Sequence, residues 1–154
     1  MNILIVTQLY PQPDDMSNHR ATKTVEYFAR EWVNDGHRIL IVHCPSKFPL
    51  LFYYAPAFIK KILGGTLSNL IPSKDSRNYL YRQENGIEIV RFPMLKLFPG
   101  MGYTNKRILA QSRVIFNFLS AKQFIPELIL GHFANPSTGI VSSLARIYSV
   151  GSSI

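Results

Sequence analysis

His132 is the residue whose surroundings most suggest chemistry. It follows the short apolar run Leu128-Ile129-Leu130 through Gly131, and it precedes Asn135-Pro136. A histidine between a buried strand and a helix start sits at the carboxyl edge of a sheet. There it can donate to a substrate hydroxyl or phosphate near neutral pH. The plain alternative is a ring bonded to a loop carbonyl. A second set is Ser17, Asn18, His19 and Arg20, just before an amphipathic stretch. Backbone N–H groups and the helix dipole favour an anion at such a point, and Arg20 can add a bidentate phosphate contact. Its plain alternative is an N-cap by Ser17 or Asn18 with an exposed arginine. Asn135 followed by Pro136 reads as an N-cap and a proline at the first helical position.

Other chemistry is absent from the pattern. Residues 11–20 contain no glycine, so the dinucleotide fingerprint fails and the Walker lysine pattern is missing. A nicotinamide or flavin dehydrogenase is therefore not expected. No two of the four histidines have metal-ligand spacing, and no Ser-His-Asp set can be assembled. His37 and His43 read as structural. Cys44 is the single cysteine, so no internal disulfide or cysteine-cluster metal site is possible. It ends an apolar run and reads as buried packing.

These residues need elements to hold them. Residues 2–7, Asn-Ile-Leu-Ile-Val-Thr, form a run without polar alternation. That suits a strand covered on both faces in a parallel sheet. A loop with two prolines and two aspartates comes next. Ala21, Val25, Phe28, Ala29, Trp32 and Val33 then recur at helical spacing, and Gly36 suits the left-handed residue of a helix end. Residues 39–42 are a second apolar run. Strand, helix and strand make a βαβ unit, whose ligands bind beyond the carboxyl ends of the strands. Asn85-Gly86 between extended runs signals a hairpin. Thr104 is a plausible N-cap for a helix with Ile108, Ser112, Ile115, Phe116 and Leu119 on one face, running to about Lys122. Leu128-Ile129-Leu130 is the next buried strand, and Ile140, Val141, Leu144, Ala145 and Tyr148 give the next helix its apolar face. The chain reaches residues 150–154 where a further strand should start, so the sheet is expected to be incomplete at the C-terminus. The expected fold class is α/β, Rossmann-like, a mostly parallel sheet with flanking helices, in one domain over residues 1–154.

The chain carries 17 Lys/Arg against 9 Asp/Glu, a formal charge of +8. Twelve of the basic residues and only three of the acids lie within residues 47–122, so the whole excess is in the middle of the chain. A solvated face, an anionic membrane surface or an anionic substrate all fit. The basic residues are dispersed rather than set in a reading motif, so nucleic acid is not expected as a partner. Residues 48–71 are rich in aromatic and aliphatic side chains beside Lys60 and Lys61. Pro49 and Pro56 interrupt a stretch too short to span a bilayer. The segment reads as a lid or as an interfacial element. No basic n-region precedes the first strand, so no signal peptide is expected. The expected place is the cytoplasm, including its peripheral zone on the inner face of the membrane.

Taken in order, these motifs resemble a known family. A first strand ending in Leu9-Tyr10-Pro11 resembles the opening of family 4 glycosyltransferases of GT-B fold. So does the helix end from Phe28 to His37, with Gly36 before the second strand. The hairpin from Asn85 to Pro93 is similar to that family's "-GV-V-R-P" element, and Pro126 to His132 is similar to its strand-histidine element. The resemblance implies transfer of a sugar from a nucleotide-diphosphate donor to a glycan or lipid-linked acceptor, between two Rossmann-like domains. It makes this chain the N-terminal, acceptor-side half. The donor would bind mainly through a C-terminal domain absent here, so residues 1–154 alone are expected to be inactive. No metal or other cofactor is implied. His132 matches the family's histidine and is the implied catalytic residue. Ser17, Asn18, His19, Arg20 and Asn135 are the implied substrate-binding residues, although Ser17 to Arg20 stand where many members carry adjacent glycines. A reading of a different class is a non-catalytic basic α/β module that docks on an anionic membrane surface or partner.

Overall fold

A computed structural model of the chain describes residues 1–10, 23–54, 78–98, 100–133 and 135–153. Among these the order is β1 (Asn2–Thr7), α1 (Thr24–Asn34), β2 (Arg38–His43), β3 (Ser46–Lys47), α2 (Leu50–Tyr54), β4 (Leu80–Glu84), β5 (Ile87–Arg91) and β6 (Met94–Leu95). Then come α3 (Asn105–Ala121), β7 (Leu128–His132), α4 (Ser137–Tyr148) and β8 (Gly151–Ser153). The protein is α/β. Six strands form one sheet in the order β4-β5-β2-β1-β7-β8, and β3 and β6 form a separate pair. Every pairing in the large sheet is parallel except β4 with β5.

The parallel strands are apolar on both faces because both faces are covered. Ile3, Ile5, Ile39, Ile41, Ile87 and Ile89 pack with Val25 and Ala29 of α1. Leu4, Val6, Leu40, Val42, Val90 and Ile129 face the other way, against Ile108, Ile115 and Leu119 of α3 and Ile140, Val141 and Leu144 of α4. The period-two alternation of a strand thus sorts neighbouring residues onto two different helix layers. Cys44 is fully buried, as expected of a packing residue.

The hairpin is where Asn-Gly placed it. Asn85 and Gly86 both adopt positive φ, 50° and 78°, the pair of left-handed residues that matches the twist of a two-residue loop. Gly36 ends α1 at φ 81°. Thr104 caps α3, its hydroxyl accepting from Arg107 N–H. The final strand lies at 151–153, paired with β7.

Three expectations need correction. Phe28 is 56% exposed and stacks on Trp32 rather than entering the core. The buried stripe of α1 is narrow, and Val25 and Ala29 fill it. The N-cap of α1 is Lys23, with no side-chain cap bond, so neither Ser17 nor Asn18 caps the described helix. Asn135 is not the N-cap of α4. Pro136 holds that position and its carbonyl accepts from Ile140 N–H, while the Asn135 side chain is turned to another partner. Residues 11–22 and 55–77 lie outside the described residues, and with them Ser17, Asn18, His19, Arg20 and most of the 48–71 segment.

Candidate functional site at the carboxyl edge

Strand order reverses beside β1. From β1 the chain goes out through β2 to β5, then returns to the other side of β1 as β7. Crevices at such a reversal, outside the carboxyl ends of the strands, are where open α/β sheets bind ligands. Thr7 closes β1 and His132 closes β7. They are register partners, and Thr7 Oγ1 lies 3.2 Å from His132 Nδ1. His132 is therefore at the carboxyl edge, as its sequence context suggested.

Register extends this pair into a row. Thr7 is also the partner of His43 at the end of β2, and His43 is the partner of Arg91 at the end of β5. On the α1-side face each strand is apolar up to this level and turns polar at it. His132, Thr7, His43 and Arg91 thus form one polar line across four strands. By alternation they share the face of Ile5, Ile41, Ile89 and Leu130, the α1 side.

The hydrogen bonds set the protons along the row. Thr7 has one hydroxyl proton and two lone pairs. The proton goes to Leu9 O at 3.0 Å, and Leu9 N–H donates back at 3.2 Å. With the hydroxyl turned to Leu9 O, the remaining lone pair can accept from His132 Nδ1–H, and in that tautomer Nε2 keeps its lone pair. Nε2 is then a hydrogen-bond acceptor and a base. His132 is half-buried, and burial lowers its pKa from the ordinary histidine value. The ring stays neutral at pH 7. Phe133 is next in the chain at φ 72°, a left-handed conformation rare for a bulky residue. Its ring meets the His132 ring edge-on, with centroids 4.2 Å apart. Backbone strain of this kind costs about 1–3 kcal/mol and collects at binding sites.

His43 serves differently. It is buried, and its Nε2 donates to the Gln8 carbonyl at 3.0 Å. Burial pushes its pKa down to about 3, and nearby Arg91 and Arg82 push the same way. It anchors the start of the loop after β1 and stays neutral, the structural role expected of it. Tyr10 on that loop is buried in the α1-side cluster, and burial raises its phenol to about 12.

Asn135 lies three residues past His132. Its Oδ1 accepts from Tyr103 N–H at 3.2 Å, which ties the entry of α3 to the turn before α4. The Ser137 hydroxyl, in the first turn of α4, is fully buried and has no partner among the described residues. Thr7, Phe133 and Ser137 were not singled out from sequence. The only signal for Thr7 was that it is the first polar residue after an apolar run.

Among the described residues no group of three His, Cys, Asp or Glu side chains can hold a metal ion. No helix among them is long and apolar enough to cross a membrane. No protein-family model matches the chain, and no curated protein matches it significantly.

Proposed function

We propose that this chain is a Rossmann-like, acceptor-side domain of a GT-B glycosyltransferase, which uses the crevice between β1 and β7 to hold the acceptor. The observation that carries the reading is the Thr7–His132 pair at the point of strand reversal. It presents Nε2 of a neutral imidazole where a hydroxyl group can give it a hydrogen bond. The ordered resemblance of the motifs supplies the reaction class. The donor, a nucleotide-diphosphate sugar, belongs on this reading to a second domain outside residues 1–154.

In transfer, charge develops on the sugar, the acceptor oxygen and the departing phosphate. Nε2 can take the acceptor hydroxyl as a hydrogen-bond donor and stabilise the charge that forms. Thr7 keeps that nitrogen free by holding the proton on Nδ1. In the two-domain enzyme, His132→Ala is expected to lower kcat roughly a hundredfold to a thousandfold, the cost of one preorganised contact, and to leave donor affinity near normal. Thr7→Val removes the Nδ1 acceptor and should give a smaller loss of the same kind. Unchanged kcat with a lowered Tm in His132→Ala would make this histidine a packing residue and overturn the reading.

A further inference from the structure

We infer that copies of this chain associate head to tail, with the exposed stripe of α1 on one copy seated in the groove between α3 and α4 of the next. This stands apart from the glycosyl-transfer reading and uses none of its residues.

The first surface is aromatic and acidic. Tyr27 and Phe28 on α1 are 61% and 56% exposed. Glu31 and Asp35 are exposed further along the same helical stripe. Phe28 stacks on Trp32, with centroids 6.0 Å apart and planes 25° from parallel. Its ring is already held in place, so docking it costs little side-chain entropy. Arg30 is taken up by Glu26, whereas no salt bridge among the described residues involves Glu31 or Asp35.

The second surface is aliphatic and basic. α3 and α4 border a groove of about 470 Å³ whose walls include Leu109, Gly139, Arg146 and Ile147. Gly139 puts no side chain into it, which leaves room for an inserted ring. Leu109 is 53% exposed and Ile147 49%. Lys106 and Arg113 flank Leu109 on its stripe of α3, at i−3 and i+4. Neither helix contains an Asp or Glu. No salt bridge among the described residues involves Lys106, Arg113 or Arg146.

Each surface supplies what the other lacks. Rings flanked by acids meet an apolar groove flanked by cations, the arrangement of a helix laid into a groove. A polyanion would use the cations and leave the α1 stripe in water. One chain carries both halves of the contact, so the occupant is a second copy. α1 packs on one face of the sheet, and α3 and α4 pack on the other. A copy therefore cannot seat its own stripe in its own groove, and two copies cannot make both contacts at once. Contact between two different patches is heterologous and continues past the dimer. The net charge of +8 opposes association at long range. At about 0.15 M salt it is screened over roughly 8 Å, so the charges at the contact decide.

Sedimentation velocity of the chain over a range of concentrations tests this. The weight-average mass is expected to rise past that of a dimer. Phe28→Ser spoils only the stripe and Leu109→Ser only the groove, and both side chains already face solvent, so the fold is kept. Each variant alone should weaken association at least about tenfold, as loss of an interface anchor does. Their equimolar mixture should recover one sound contact, the stripe of Leu109→Ser in the groove of Phe28→Ser, and stop at the dimer. Leu51→Ser, which alters an exposed residue of α2, should associate as wild type. A wild-type chain that stays monomeric or ends at a dimer would overturn the proposal. So would Phe28→Ser, Leu109→Ser or Arg146→Glu associating as tightly as wild type, or a mixture no better than its two components.

Discussion

Four polar residues that end four strands do different work because their surroundings differ. His132 and His43 share a face and a level, yet one has its Nδ1 proton fixed by Thr7 and the other has its Nε2 proton fixed by Gln8. His43 also carries a pH signature. Its folded pKa, about 3, lies below the ordinary value near 6.5. Above pH 6.5 both folded and unfolded forms are neutral and the full stability is present. As pH falls toward 3 the unfolded chain binds a proton that the folded chain refuses, so stability drops. His43→Gln removes that proton site and should flatten the decline of Tm between pH 6.5 and 5, while costing stability at pH 7. An unchanged slope would mean that His43 is not the group responsible. Of the row, only His132 stood out in the sequence as a candidate for chemistry; His43 read as structural, and Thr7 and Arg91 drew no attention. The adjacency of the four was not visible, because it depends on which strands pair and in what register.

Elements were the most legible level, since helix period, hairpin chemistry and caps are local. The failures are places where a tertiary contact overrode a local rule. Asn135 has good capping chemistry, but the Tyr103 amide claims its side chain. Phe28 keeps helical spacing, but α1 spans a surface that two small side chains already fill. The contact of α3 with α4 shows the same dependence. A Cβ on Gly139 would lie 2.8 Å from Ile108 Cγ2, so this glycine lets the helices approach. In an isolated helix Gly→Ala is favourable by about 1 kcal/mol. Here Gly139→Ala is expected to destabilise by about 1–3 kcal/mol, as overpacking does, and Ile108→Val should recover part of the loss. Chemical denaturation of the two single variants and the double variant measures this. A stabilised Gly139→Ala would mean that Ile108 yields without cost. Glu88 shows another tertiary device. Burial alone would raise its pKa, but the guanidinium of Arg38, with its nearest nitrogen at 2.7 Å, and the Tyr81 hydroxyl at 2.7 Å hold the carboxyl below its ordinary value.

For the whole molecule, sequence indicated an α/β chain with a mostly parallel sheet but not the order of its strands. That order comes from non-local pairing, and it makes the β1–β7 crevice a place of convergence. It also gathers the polar row on the α1 side at the carboxyl edge. On the proposed reading that row receives an acceptor and still lacks a donor. Transfer needs the two reacting atoms held in line within about 3–3.5 Å, and the rate gained from such placement vanishes when one partner is free in solution. Residues 1–154 should therefore bind an acceptor at the crevice without turning over any nucleotide sugar. Nuclear magnetic resonance of the labelled His132 ring reports the first half: its Nε2 resonance, identified by its absence from the His132→Ala spectrum, should shift on addition of a glycan acceptor. A product assay on the same sample reports the second. Turnover by these residues alone would place donor chemistry within this chain and refute the division between two domains. No response of the ring to any glycan or lipid-linked sugar would remove the acceptor from the crevice.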